Sequence, residues 1–280
     1  GHLETIVVTG GTPPPGTVRF DDVLKGGPYR DVPVKTEDVA WLGYTSGTTG
    51  RPKGAILTHL GATHVGATVA DRFGYREDDI VLCALPLFHS YAVNSCMIQV
   101  MMAGAGQVIL ERFTPDGVLQ AIQDHRITVF PGVPTMFNYL VNFPDRAKYD
   151  LTSLRIAKSA GAVLPAKLMH DFETLYGVPL VDGYGITEAH SFVTLNDPRG
   201  KRPDGSCGKA IEGVDVRIVD GNTLSEAEAR MLGDVAGRDV LEVGSGAGQC
   251  SRWVRDRGGR SVGLDLSLRQ LQHSRRLDDD

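Results

Sequence analysis

One unbroken run near the start of the chain combines hydroxyl groups, three glycines and a lysine: Tyr44-Thr45-Ser46-Gly47-Thr48-Thr49-Gly50-Arg51-Pro52-Lys53-Gly54. Glycines let backbone N–H groups turn inward around an anion, while hydroxyls and a lysine add donors and positive charge. The run is not the common P-loop, because that pattern requires Gly-Lys followed by Ser or Thr. We therefore predict a polyphosphate-binding loop made of Thr45, Ser46, Gly47, Thr48, Thr49, Gly50 and Lys53. The competing interpretation is a Gly/Thr-rich hairpin turn that binds nothing.

Length and composition indicate a globular chain of about two domains. Of its 280 residues, 41% are hydrophobic and 22% charged, and the net charge is −5, so no nucleic-acid partner is expected. The four cysteines are scattered without a CxxC pair, which favours reduced thiols and a cytoplasmic location. Apolar stretches fall short of the roughly 20 residues that cross a bilayer, so no membrane span is predicted.

From Trp41 to about Asp220, short apolar runs alternate with amphipathic segments, a pattern typical of an α/β fold with a largely parallel sheet flanked by helices. Helices are predicted after the Thr114-Pro115 pair and over residues 165–176, where Gly177 follows as a stop. The predicted strands are Trp41–Tyr44, Ala55–Leu57, Ile80–Ala84, Gln107–Leu110, Thr128–Phe130, Leu154–Lys158 and Leu180–Asp182.

A second motif follows the last of these strands: Asp182-Gly183-Tyr184-Gly185-Ile186-Thr187-Glu188. Together, the two motifs resemble the signatures of the adenylate-forming enzymes, which include acyl-CoA synthetases, luciferases and the adenylation domains of peptide synthetases. The resemblance implies that Tyr184 stacks on adenine, with Asp182, Gly183 and Gly185 beside it. It also implies that Thr187 binds phosphate oxygens and that Glu188 holds Mg²⁺, so Thr187, Glu188 and Lys53 are the candidate catalytic residues. Taken alone, Glu188 would be a solvated loop acid.

Three further segments resemble the same family: Leu85–His89, Val133–Thr135 and Ser159–Pro165. By this resemblance, His89, Val133 and Met136 would contact the acyl chain, and Gly161 with Ala162 would let adenine approach. The implied reaction joins a small carboxylic acid to ATP as an acyl-adenylate and then transfers the acyl group to coenzyme A, with Mg²⁺ screening the phosphates. The apolar surroundings favour a fatty acyl substrate.

Relative to the family pattern, residues 1–220 form an incomplete adenylate-forming core that lacks most of the N-terminal subdomain and the C-terminal lid. Losing one preorganised donor costs about 10² to 10³ in rate, and several are absent together. We therefore expect at most weak ATP binding and no useful ligase turnover, which leaves the status of this chain as an enzyme uncertain. Uncovered apolar surface predicts aggregation or a compensating oligomer.

The composition changes after Asp220: residues 221–280 contain nine arginines and no lysine, whereas residues 1–220 contain eight lysines and twelve arginines. We predict a second domain over 221–280, a partial Rossmann-like β-α-β unit. A strand at 239–243 leads into a glycine-rich turn, and a second strand at 261–264 ends at an acid. This pattern resembles the start of class I S-adenosylmethionine methyltransferases, whose cofactor would contact Glu242, Gly244, Gly246, Gly248 and Asp265. A nicotinamide site, a tight turn without a ligand, and a non-catalytic fusion are the alternatives.

Overall fold

The structure is a computed structural model that describes residues 6–27, 31–45, 53–216, 239–243 and 260–264. The chain divides into two compact units, Gly1–Asp38 and Val39–Asp280. In the first unit, strands β1 (Val7–Val8) and β2 (Val18–Arg19) pair in parallel, and helix α1 (Phe20–Val23) follows directly. The second unit contains every predicted site residue of the adenylate-forming motifs that the structure describes.

The centre of the second unit is a seven-stranded sheet in the order β11-β10-β9-β8-β7-β5-β6. Neighbours among β5 to β9 run parallel, while β10 is antiparallel to both β9 and β11. The predicted α/β fold with a mostly parallel sheet is therefore confirmed. The strands are β5 (Ile80–Cys83), β6 (Gly106–Ile109), β7 (Val129–Gly132), β8 (Ile156–Ser159), β9 (Leu180–Tyr184), β10 (Thr194–Leu195) and β11 (Lys209–Ala210).

The first two predicted strands exist but do not join this sheet. They form a separate antiparallel pair, β3 (Val39–Thr45) with β4 (Lys53–Thr58), and the loop of residues 46–52 connects them. Alternation along a strand predicts an extended segment but not its partner, so the sequence pattern could not distinguish the two sheets.

Helices cover both faces of the sheet. Thr114 accepts a hydrogen bond from the Gly117 N–H at 3.1 Å and caps α5, and Gly177 ends α7 in the left-handed conformation at φ 66°, as predicted for both. A π-helical segment (Val93–Ile98) and short 3₁₀ turns (Arg146–Lys148 and Thr187–Ala189) complete the unit. The α-helices are α2 (His59–Arg72), α3 (Ser90–Ala92), α4 (Gln99–Ala103), α5 (Pro115–His125), α6 (Pro134–Val141) and α7 (Ala166–Tyr176).

Two hydrophobic cores lie on opposite faces of the sheet, because successive strand residues point to opposite sides. On the α5–α7 face, Leu82, Phe130 and Leu180 pack against α5, α6 and α7. On the α2–α4 face, the adjacent strand residues Val81 and Val181 pack against α2 and the helical segment 90–103. Within the described residues, no helix combines the length and apolarity required to cross a bilayer.

Near the C-terminus, β12 (Asp239–Val243) and β13 (Arg260–Leu264) pair in parallel, as the predicted β-α-β unit requires. The predicted start of this domain after Asp220, its glycine-rich turn and the segment that would hold the helix of the β-α-β unit lie outside the described residues. A Rossmann-like unit is therefore not shown. Strands β10 and β11 were not predicted, since a two-residue strand is too short to show an alternation of apolar and polar residues.

Candidate functional site

The phosphate-loop run folds as the β3–β4 hairpin and the loop that joins the two strands. Thr45 and Lys53 are directly opposite each other at the loop end of the hairpin, where the register pairs their Cα atoms. Ser46, Gly47, Thr48, Thr49 and Gly50 lie outside the described residues. The hairpin therefore places the exposed lysine and a threonine at the two ends of the predicted phosphate-binding segment.

The second motif ends β9 and then turns sharply back on itself. The Ile186 carbonyl accepts hydrogen bonds from the N–H groups of Ala189 and Ser191 at 3.2 and 3.1 Å. The fold-back brings the Ser191 carbonyl so close to Gly185 that a methyl group there would overlap its oxygen. Gly183 is buried two residues earlier, on β9, opposite Leu195 of β10. Glycine at 185 is thus a steric requirement of the turn that presents Thr187 and Glu188.

The hairpin and this turn contact each other. A methyl group added at Gly43 of β3 would lie 2.7 Å from Cγ2 of Thr187, so the two backbones approach closely only because residue 43 is glycine. On its other side, the Thr187 hydroxyl lies 3.3 Å from the Ser90 hydroxyl at the start of α3. The two predicted triphosphate-binding segments therefore lie on the same side of the molecule.

Asp182 and Ser159 face each other across β8 and β9 at the carboxyl ends of these strands. Asp182 Oδ1 and the Ser159 hydroxyl are both buried, and within the part of the chain that the structure describes neither forms a hydrogen bond of normal geometry. Burial raises the pKa of the Asp182 carboxyl to about 6, against a smaller lowering by the nearby Ser159 hydroxyl. A buried acceptor of this kind is suited to the amino group of a ligand.

The predicted adenine contacts lie around the same edge of the sheet. Tyr184 keeps 39% of its surface exposed at the end of β9, which leaves ring area for stacking, and partial burial raises its pKa. Gly161 adopts φ +83° and, with Ala162, lies on the surface. A methyl group at Gly161 would lie 3.7 Å from Cγ1 of Val133. The structure thus brings Gly161 next to a residue predicted for the acyl pocket.

The residues predicted for the acyl pocket have local structural roles as well. His89 is exposed, and its Nδ1 accepts a hydrogen bond from the Tyr91 N–H at 3.1 Å, which caps α3. Val133 immediately precedes α6, Met136 lies in its first turn, and both pack against the core of the α2–α4 face. These contacts account for the residues without a ligand, so their role in acid binding stays a prediction.

The fit of Mg²⁺ depends on Glu188. Glu188 is exposed in the 3₁₀ turn Thr187–Ala189, directly after Thr187 in the chain. In the described parts of the chain, no three His, Cys, Asp or Glu side chains cluster closely enough to hold a metal. Oxygen ligands suit Mg²⁺, and the cation commonly binds through one or two carboxylates together with phosphate oxygens. The residues present therefore fit a cation that nucleotide and protein hold jointly.

A cavity of about 500 Å³ lies between the hairpin, α2 and the helical segment 90–103. It was not predicted, and His89, Val133 and Met136 are not among its lining residues. Its lining is mainly apolar, with two imidazoles and a buried amide: Ala40, Trp41, Leu57, His59, Ala62, Thr63, Leu87, Ser90, Val93, Asn94, Met97, Ile98, Met101, Met102 and His190. The helical spacing of Val93, Met97 and Met101 was the available signal.

The buried side chain of Lys158, near the core of the α2–α4 face, was also not predicted from the sequence. Lys158 of β8 is 1% exposed, donates to Gln99 Oε1 at 2.6 Å, and places its ammonium nitrogen 4.8 Å from the ring centres of Phe73 and Tyr75. Burial lowers its pKa to about 7. The available signal was a lysine inside the predicted strand 154–158, where a charged residue contradicts a buried parallel strand.

Comparison with known proteins identifies the family. The AMP-binding enzyme model matches residues 2–238 of the 280 in the chain. The chain belongs to the AMP-binding enzyme family. It is 31% identical to the 4-coumarate–CoA ligase CCL1 of Humulus lupulus over 239 residues, which are 81% of this chain and 44% of that protein. It is 33% identical to the 4-coumarate–CoA ligase of Pinus taeda over 213 residues, 73% of this chain and 40% of that protein.

Solved structures agree with this assignment. The anthranilate CoA ligase AuaEII in complex with anthranoyl-AMP aligns with a TM-score of 0.72 at 32% identity, over 78% of this chain and 43% of that chain. ATP-bound MatB from Rhodopseudomonas palustris aligns with a TM-score of 0.67 at 30% identity, over 75% of this chain and 42% of that chain. This AMP-binding protein thus spans less than half the length of these relatives.

Two predictions find no support in these comparisons. The 4-coumarate–CoA ligases and AuaEII are named for 4-coumarate and anthranilate, so the preference for a fatty acyl substrate is not supported. Neither the comparisons nor the described residues show a methyltransferase unit or a fusion in residues 221–280. Of the residues predicted to bind S-adenosylmethionine, Glu242 lies in β12, while Gly244, Gly246, Gly248 and Asp265 lie outside the described residues.

Proposed function

We propose that this chain carries the nucleotide- and acid-binding part of an AMP-forming acid–CoA ligase. The observation that carries the proposal is the contact between Gly43 and Thr187, which joins the phosphate-loop hairpin to the Thr187–Glu188 turn. Hydroxyls, backbone N–H groups and a lysine on one segment, and a hydroxyl with a carboxylate on the other, are the groups that a triphosphate with its cation needs. The whole reaction belongs to the proposal, since the chain spans less than half of its relatives.

The roles of the residues follow from charge placement. Lys53 and the loop 46–50 would bind the phosphates, Thr187 would donate to a phosphate oxygen, and Glu188 would hold Mg²⁺, which neutralises phosphate charge when bound. A carboxylic acid is already ionised at neutral pH, so no general base is required. Fixed donors around the α-phosphate would stabilise the developing charge as the substrate carboxylate attacks. Asp182 would accept a hydrogen bond from the adenine amino group beside Tyr184.

For the acid, we propose an aromatic carboxylic acid in place of the fatty acid that the sequence favoured. The named substrates of the similar ligases, 4-coumarate and anthranilate, support this choice. Val133 and Met136 supply partly buried apolar surface next to Gly161, which suits a flat apolar ring. Coenzyme A would be the acyl acceptor.

Calorimetric titration with ATP, with and without Mg²⁺, tests the nucleotide site. We expect weak binding that Mg²⁺ strengthens, and we expect Glu188→Gln to abolish the strengthening because the cation loses its protein ligand. Lys53→Met should weaken binding in both conditions, since removing a charge-assisted contact costs about 1.5–3 kcal/mol. Glu77→Gln is the matched control, because Glu77 is an exposed acid that precedes β5, at the amino ends of the parallel strands, whereas the candidate site lies at their carboxyl ends.

Two outcomes would contradict the proposal: no heat with ATP in either condition, or equal affinities for the wild type and the Glu188→Gln and Lys53→Met variants. We expect no measurable ATP–pyrophosphate exchange, so robust exchange would show that the chain needs no further parts. Thermal shift in the presence of ATP and Mg²⁺ then compares 4-coumarate, anthranilate and dodecanoate, because a ligand that binds only the folded state raises Tm. A shift with dodecanoate alone would restore the fatty acyl assignment.

For residues 221–280, S-adenosylmethionine binding is the alternative proposal. One observation favours it: β12 and β13 pair in parallel, which requires a crossover connection such as the predicted helix. Calorimetric titration with S-adenosylmethionine tests it separately. Heat that persists in a Gly246→Val variant would show that the glycine turn is not the binding site.

A further inference from the structure

We propose that His190 is a positioning residue that holds the Thr187–Glu188 turn against the first turn of α2 and so sets the distance between the two triphosphate-binding segments. This inference rests on the proposed function, but it concerns a residue outside both signature motifs. It starts from the backbone: His190 has φ 56° and Ser191 has φ 94°. Residues with side chains seldom adopt positive φ, and such conformations persist where surrounding contacts enforce them.

The contact that enforces this conformation is with Gly61. A methyl group at Gly61 would overlap the His190 ring, with Cδ2 at 2.5 Å and Nε2 still closer. The imidazole therefore lies directly on the α2 backbone, in the space that an alanine side chain would fill. The ring is half-buried there and also borders the 500 Å³ cavity.

Gly61 lies in the first turn of the helix that continues directly from the phosphate-loop hairpin. β4 ends at Thr58, α2 begins at His59, and Thr58 Oγ1 accepts from the Gly61 N–H at 3.2 Å. A displacement of Gly61 would therefore shift β4, which begins at Lys53, directly after the predicted phosphate-binding loop. No flexible linker separates the His190 contact from the hairpin.

The turn is thus attached to the hairpin at two places on either side of Glu188. Thr187 packs against Gly43 of β3, and His190 packs against Gly61 after β4. Both contacts exist only because the facing residue is glycine. If either contact were lost, the carboxylate of Glu188 and Lys53 at the end of β4 could separate, and a triphosphate that bridges them would bind less tightly.

A double-mutant cycle tests the contact. His190→Asn keeps a side chain that tolerates positive φ but is too short to fill the Gly61 site. Gly61→Ala in the wild type should push the ring away and weaken binding, whereas Gly61→Ala in the His190→Asn background should be neutral or stabilising, because alanine favours the helix. Such reversal of sign is the mark of direct coupling. His125→Gln, at an exposed site on α5, is the matched control.

The discriminating readout is the affinity for fluorescent ATP with Mg²⁺ against the affinity for fluorescent AMP. We expect His190→Asn to weaken ATP about tenfold and AMP less than about twofold, since AMP lacks the β- and γ-phosphates that span the two segments. A purely structural role would weaken both nucleotides alike. Equal losses for ATP and AMP, or additive effects of the two substitutions, would overturn the proposal.

Amide hydrogen exchange tests the contact between His190 and Gly61 independently of nucleotide binding. We expect His190→Asn to speed exchange in residues 53–61 and 186–191 and to leave β8 unchanged. If the wild type binds neither nucleotide but this pattern appears, the proposed function fails and the positioning contact stands. Unchanged exchange in both segments would refute the contact itself.

Discussion

The two faces of the central sheet are built from adjacent residues of the same strands, yet they differ in chemistry. On the α5–α7 face, aromatic rings pack edge to face: Phe130 with Phe137 at 5.5 Å and Phe137 with Phe172 at 5.2 Å between centroids. On the α2–α4 face, Lys158, Gln99 and Asn94 form a buried hydrogen-bonded row. The comparison teaches that both faces bury a hydrophobic core, while the α2–α4 face also buries polar groups that stability alone would exclude.

The polar face also has unsatisfied groups. Asn94 Nδ2 and Ser95 Oγ are buried and have no hydrogen-bond partner among the described residues, and both lie in the π-helical segment 93–98. π-Helical turns are uncommon and frequently occur at functional sites. This segment begins immediately after α3, whose Ser90 contacts Thr187, so the polar face is the one continuous with the candidate site.

The largest expected effect tests the apolar face. Phe137→Ala should reduce the free energy of unfolding by about 3–5 kcal/mol, because the ring is fully buried between Phe130 and Phe172 and its removal leaves a cavity. Urea unfolding measures the loss. The exposed Tyr139→Ala on the same helix is the control and should cost far less. Equal losses at both positions would mean that the buried Phe137 ring contributes no more to stability than the exposed Tyr139 ring.

An intermediate effect tests the buried lysine. Lys158→Met should raise the free energy of unfolding by about 1–4 kcal/mol at pH 7, because the variant buries no charge. The native pKa of about 7 lies below the unfolded value near 10.4, so the unfolded wild type binds more protons between these limits. Wild-type stability should therefore rise from pH 7 towards pH 10, and the advantage of the variant should shrink.

Urea unfolding at pH 7, 8 and 9 measures this convergence. Lys167→Met, at a lysine that is 85% exposed on α7, is the matched control and should show no such trend. A constant difference between the Lys158→Met variant and the wild type across this range would mean that Lys158 is already neutral, or equally charged, in both states.

The smallest expected effect compares two serines. Ser95→Ala should stabilise the protein by about 1 kcal/mol, since the hydroxyl is buried and finds no hydrogen-bond partner in the described residues, so its burial is uncompensated. Ser153→Ala should destabilise by a similar amount, because the Ser153 hydroxyl donates to the Ile127 carbonyl at 2.8 Å. Thermal unfolding of the pair measures both signs. Destabilisation by Ser95→Ala would indicate a partner, such as an ordered water, at that hydroxyl.

Much of the fold was predictable because its signals are local. Each of the seven predicted strands exists, and the Thr114 cap and the Gly177 stop are where they were expected. The site was predictable only in part. The run around Lys53 and the Tyr184–Glu188 segment can be recognised from their own residues. His190 and Gly61, by contrast, acquire a role only when the fold brings residues 129 positions apart into contact.

The amino-acid sequence by itself determined the α/β class, the seven predicted strands and the family of the chain, because each depends on neighbouring residues. Tertiary structure decided that the hairpin forms its own sheet, that Lys158 is buried and that Thr187 packs against Gly43. These are outcomes of long-range packing. The space next to one backbone segment determines which side chain of a distant segment can pack there. Local pattern contains no measure of that space.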